Sequence, residues 1–82
     1  MIRVNIGRFI YKANHFIYYQ SSDSPLSVFT LEGDSLDTDA LVNQKIFIKF
    51  KCGEAEFEKQ IFIYSTYSDK EKNKYIIYGE DL

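Results

Sequence analysis

Eighty-two residues leave room for a single domain, 1–82, and a chain this short buries only ~60–65% of the surface its unfolded form exposes. A hydrophobic fraction of 45% with a net charge of −2 excludes a disordered chain. The same charge points to neither a strongly basic nucleic-acid binder nor a heavily acidic DNA mimic.

Seven Phe, seven Tyr and ten Ile supply packing area in bulky, β-favouring side chains. Charge is unevenly spread. Residues 1–31 set Arg3, Arg8 and Lys12 against Asp23, whereas 32–44 carry Glu32, Asp34, Asp37 and Asp39 with no cation. The lone Cys52 allows no intrachain disulfide, and residues 1–10 lack a continuous apolar run of the signal-peptide kind. No stretch is apolar for long enough to span a membrane as a helix. A cytoplasmic setting without membrane contact is therefore expected.

Period-two alternation dominates. Ile2, Val4 and Ile6 alternate with Arg3 and Asn5, as in a half-buried strand. Gly7 interrupts, as a bulge or bend. The strand resumes over 8–12, Ala13–Asn14 reads as a two-residue hairpin turn, and 15–20 returns. A loop of turn formers covers 21–25, and 26–31 is a third strand. Ser35 or Asp37 then caps a short helix with Leu36, Ala40 and Leu41 on one face.

Residues 45–51 and 55–64 form the clearest hairpin. With Gly53–Glu54 as its loop, Phe50 faces Phe57, Ile46 faces Ile61, Lys51 meets Glu56 and Lys49 meets Glu58. A one-residue slip would lose all of these, so register is well specified. Within it Phe57→Ala should cost ~3–5 kcal/mol. Lys59 falls on the apolar face, a misfit that a bulge at Lys59–Gln60 or an edge position would relieve. Residues 68–74 form a solvated turn, 74–78 a last strand, and Gly79 ends it.

This order predicts an all-β chain with one short helix, a small antiparallel sheet of five to six strands or a partly open barrel. An OB-like barrel places its helix between the third and fourth strands, and an SH3-like barrel fits nearly as well.

No catalytic centre is legible. His15 and Cys52 are the only residues of their kinds, and nothing brings their turns together. The acidic connector does not match calcium-loop spacing. There is no Walker loop, dinucleotide fingerprint or zinc ligand set, so neither cofactor nor metal is expected.

The aromatic residues are the candidate site. If parity runs unbroken through Gly7, the core face holds Ile2, Val4, Ile6, Ile10 and Ile17. Phe9, Tyr11, Phe16 and Tyr18 then crowd the outer face as an exposed patch of the kind that binds. If Gly7 flips parity, the same four complete the core. Tyr64, Tyr67, Tyr75 and Tyr78 pose the same question near the C-terminus, with Tyr64 joining the candidate binding set.

The expected function is a non-catalytic protein-binding module. It would dock a larger protein through the aromatic patch, or pair with a partner or a second copy through a free sheet edge. Stand-alone modules of this size, many of them virus-encoded, act as inhibitors or adaptors. Eight Lys against two Arg, with abundant Ile, Asn and Tyr, is compatible with an AT-rich phage genome. The alternative is single-stranded nucleic-acid binding, with aromatics stacking bases and Arg3, Arg8, Lys12, Lys45, Lys49 and Lys51 meeting phosphates.

Overall fold

A computed structural model describes residues 2–82. Six strands follow in order: β1 (Ile2–Ile6), β2 (Phe9–Gln20), β3 (Leu26–Gly33), β4 (Lys45–Cys52), β5 (Ala55–Asp69) and β6 (Lys74–Asp81). They close into one antiparallel barrel in the spatial order β1-β2-β3-β6-β5-β4, with β4 returning to β1. The protein is thus all-β, an OB-like small barrel, closed rather than partly open. Closure confines the free sheet edge to stretches where a strand outruns its ladder, such as 55–59 of β5 on its β6 side.

Local chemistry differs from the sequence reading at three points on the first half. Gly7 is not a bulge. Gly7–Arg8 is the two-residue loop joining β1 to β2, with Ile6 opposite Phe9 and Gly7 at φ +62, the sign primed hairpin turns require. Ala13–Asn14 is not a turn. β2 runs straight through it with a β-bulge between Ala13 and His15. The asparagines that do take positive φ are Asn43 and Asn73. The predicted helix shrinks to one 3-10 turn, Asp39–Leu41, behind Thr38, whose side chain makes no capping bond. Leu36 is buried and Leu41 packs on the core, but Ala40 is exposed.

The turn and the bulge together settle which side each residue faces. A two-residue loop puts directly opposed residues on one side of the sheet, so Val4 and Tyr11 point inward together. The extra residue at Asn14 then moves the inward positions from Tyr11 and Ala13 to Phe16, Tyr18 and Gln20. Ile10 and Ile17, placed in the core by unbroken parity, are 54% and 51% exposed instead.

The β4–β5 hairpin has the predicted register, with Phe50 opposite Phe57, Ile46 opposite Ile61 and Gly53 at φ +63. Its ion pairing differs. Lys49 reaches diagonally to Glu56 at 2.7 Å, and Lys51 is left without a carboxylate. Both partners are about half exposed, so the pair contributes little to stability. There is no bulge at Lys59–Gln60. Lys59 points inward beside Ile48 and is neutralised by Asp81 from β6, at 2.9 Å.

β5 continues past the predicted end, with a bulge at Tyr64, and β6 continues past Gly79. Gly79 lies inside the strand, where a Cβ would stand 2.7 Å from Ile61 Cδ1 and 3.1 Å from Ile61 Cβ. The core gathers Val4, Ile6, Tyr11, Phe29, Leu31, Ile48, Phe50, Ile61, Ile63, Tyr75 and Ile77. Among the described residues, no helix is long and apolar enough to cross a membrane.

Candidate functional site

The two ends of the barrel differ. At the Ile6–Phe9 end the connector 34–44 lies across the opening. It is pinned to β5 by Asn43 N–H donating to Ile63 O at 2.7 Å and by Ile63 N–H donating to Gln44 O at 2.9 Å. Leu36, Leu41, Ile6 and Phe9 meet there around a shallow recess.

The opposite end is open. The β1–β4 ladder has only three pairs and stops at Val4 opposite Phe50, although both strands run on to Ile2 and Cys52. A recess of about 410 Å³ opens there, lined by Ile2, Phe16, Tyr18, Phe50, Lys51, Cys52 and Phe57. Its aromatic wall is one cluster. Phe50 lies 5.1 Å from both Phe16 and Tyr18 and stacks on Phe57 at 5.5 Å with an interplanar angle of 19°.

A polar network holds Tyr18 at the rim. Its hydroxyl donates to Gln20 Oε1 at 2.7 Å, and Lys59 Nζ donates to the same oxygen at 3.0 Å and to Asp81 Oδ2 at 2.9 Å. The buried Ser27 hydroxyl donates to Asp81 Oδ1 at 2.6 Å. The Asp81 bond raises the Lys59 ammonium above its ordinary value, so it remains charged. Burial opposes charge on Asp81, yet the Ser27 and Lys59 hydrogen bonds outweigh it and hold the carboxyl low. The network thus ties Tyr18, Gln20, Ser27, Lys59 and Asp81 together across β2, β3, β5 and β6.

A second surface lies outside the barrel. Cross-strand register places Ile17, Thr30, Ile76 and Tyr67 in one outward row over β2, β3, β6 and β5. Tyr19, Val28 and Tyr78 form the adjoining row, which the bulged Tyr64 extends. Ile17, Tyr19, Tyr64 and Tyr67 are each about half exposed. Charged residues rim the patch, with Glu32, Lys74 and Asp69 in the row on one side and Glu80 on the other.

The expected site residues are therefore divided. Phe16 and Tyr18 wall the open mouth, Phe9 sits at the covered end, Tyr64 joins the outer patch, and Tyr11 is wholly buried. Ile17 and Tyr19 were missed because the patch is assembled across strands, and Tyr19 follows Tyr18 on the opposite face. His15 faces outward beside Glu32, while Cys52 is an exposed free thiol at the mouth. Among the described residues, no three His, Cys, Asp or Glu side chains are grouped to hold a metal ion.

Tyr11 is core with a cost. Among the described residues its buried hydroxyl has no hydrogen-bond partner. Desolvation, helped by Tyr75, Asp34 and Glu32, pushes it up to about 12. An orphaned buried hydroxyl costs ~1–3 kcal/mol. Tyr11→Phe should therefore stabilise the fold by ~1 kcal/mol, raising Tm by roughly 4–8 °C. An unfolded tyrosine titrates near 10, so the raised folded value contributes stability that is complete below about pH 10 and lost as pH rises through about 12. Circular-dichroism melts at pH 7 and across pH 10–12 test both points, with the variant lacking Tyr11's share of the alkaline loss. A lower Tm for the variant at pH 7 would mean the hydroxyl has a partner.

Compared with protein-family models, with curated proteins and with solved structures, the chain matches none.

Proposed function

We propose that the protein is a non-catalytic protein-binding module, an inhibitor or adaptor that acts by occupying a partner's surface through the outer face of β2, β3, β6 and β5. The observation that carries this reading is the two-row patch of Ile17, Thr30, Ile76 and Tyr67 with Tyr19, Val28 and Tyr78. Tyrosine suits such a surface, since it buries large area at small entropic cost and keeps a polar tip for the rim. A closed barrel has no need of isoleucine on its solvent side, and contiguous apolar surface of this kind is where partners dock. The rim of mixed charge, Glu32, Lys74, Asp69 and Glu80, calls for a partner whose apolar contact is edged by charged side chains.

The test is site-specific photocrosslinking in cells that make the protein. A benzophenone side chain at position 19 or 67 should give one discrete protein adduct, and the same group at position 58, on the far side, should not. Ile17→Glu should weaken the captured complex by at least ~30-fold, the scale of a central interface residue. It should move Tm little, because the side chain is exposed. No adduct from 19 or 67, or the same adducts from 58, would refute the reading.

A further inference from the structure

The side of the barrel away from the tyrosine patch carries an arrangement that folding does not ask for. Arg3 and Lys12 stand directly opposite one another on the outer face of β1 and β2. Like charges so placed destabilise a ladder. Lys51 continues the row, one position beyond the last β1–β4 pair, Val4 opposite Phe50. The acid that could offset it, Glu56, is taken by Lys49 at 2.7 Å. None of Arg3, Lys12 and Lys51 has an ion-pair partner among the described residues. Arg3 and Lys51 line one recess together with Phe50 and the Lys49–Glu56 ion pair, and Lys51 and Phe50 also line the aromatic mouth. Unpaired cations and open aromatic rings therefore share a border.

The ring at that border has room for a further stack. Phe57 lies on Phe50 with one face, at 19° between planes, yet is 44% exposed. A planar ring laid on Phe57 would extend the Phe50–Phe57 stack into the mouth.

We propose that the open mouth and the Lys12–Arg3–Lys51 row form a site for single-stranded nucleic acid, with one base stacked on Phe57 and neighbouring phosphates on the three cations. The charge complementarity is local, and the overall charge of −2 predicts weak binding that salt removes readily. Duplex is disfavoured because its bases are already stacked and the mouth takes a free ring. The site is independent of the protein-docking face, since the two share no residue.

Fluorescence anisotropy with a labelled mixed-sequence 12-mer single strand and the full chain tests this at low and physiological salt. Micromolar binding at low salt is expected, with a log–log salt slope of about −2, the value for three phosphate contacts on a single strand. Arg3→Glu with Lys51→Glu should weaken binding at least tenfold and reduce the slope to about −0.7. Phe57→Ala should weaken it between about fivefold and a hundredfold with the slope unchanged, because stacking releases no counterions. Melting curves confirm that each variant is folded. Flat anisotropy at low salt would overturn the proposal. So would equal affinity for a duplex 12-mer with Phe57→Ala unaffected, which would mean a polyanion-binding surface without base recognition. Altered protein crosslinks in Phe57→Ala alongside flat anisotropy would assign the mouth to a protein side chain instead.

Discussion

Phe50→Ala is expected to bring the protein to the edge of unfolding at room temperature. Phe50 is 4% exposed and packs on four other rings: Phe16, Tyr18, Phe29 and Phe57. Truncating such a side chain removes its transfer free energy and leaves a cavity, at ~3–5 kcal/mol together. A domain of this length has on the order of 4–12 kcal/mol in all, and short chains sit toward the lower end. The surrounding rings cannot close the gap cheaply, because Tyr18 is tied to Gln20 and Phe29 stands on a central strand between β2 and β6. Phe57→Ala should cost under ~2 kcal/mol, because only one of its faces is covered and the cavity would open to water. This corrects the larger cost that symmetric pairing implied for Phe57. Urea titrations followed by circular dichroism give both values. A Phe50→Ala loss no greater than that of Phe57→Ala would show that the cluster is not the energetic centre of the barrel.

That difference marks where the sequence stops being informative. The Phe50–Phe57 register was legible because alternation, a glycine-first loop and opposite charges all agree on it. Its unequal burial was not, because that depends on which end of the barrel is covered, and the covering connector makes only one helical turn. Lys59 read as a misfit because its partners, Asp81 and Gln20, lie 22 and 39 residues away. The all-β class and the four strands after residue 25 followed from period two, whereas closure depends on the three-pair β1–β4 ladder, which has no local signature. The candidate site suffered most. Alternation alone does not separate a turn at Gly7–Arg8 with a bulge at Asn14 from the reverse, yet each step alters facing in a way that keeps Phe9, Tyr11, Phe16 and Tyr18 on one side. The grouping was therefore correct and the side was not determined. The outward set of Ile17, Tyr19, Tyr64 and Tyr67 emerges only when β2 is set beside β3, β6 and β5.

The bulge itself is held by a glycine on the facing strand, and Gly33→Ala is expected to be the most damaging of the glycine-to-alanine changes outside the core. A Cβ on Gly33 would stand 2.5 Å from Lys12 O, 2.9 Å from Ala13 Cα and 3.0 Å from Asn14 N, all backbone atoms of the bulged stretch. Its φ of +156 is one that L side chains rarely adopt. The backbone cannot simply move aside. Gly33 N–H donates to Asn73 O at 3.2 Å and Asp34 N–H donates to Lys12 O at 3.1 Å, fastening the end of β3 to both neighbours. Overpacking and backbone strain of this kind cost ~1–3 kcal/mol each, so a loss of ~3 kcal/mol or more is expected. Gly53→Ala is the control. It also has positive φ, at +63, but nothing lies within 4 Å of its Cβ, so only the local strain of ~1–2 kcal/mol applies. If β2 escapes the clash by losing its bulge, the residues after Asn14 change sides, so that Ile17 and Tyr19 turn inward and Phe16 and Tyr18 outward. Gly33→Ala should then lose the photocrosslink from position 19 as well as stability, whereas Gly53→Ala keeps it. Equal melting temperatures for the two variants would show that the bulge yields freely, and that something other than Gly33 decides which aromatic residues of β2 face the partner.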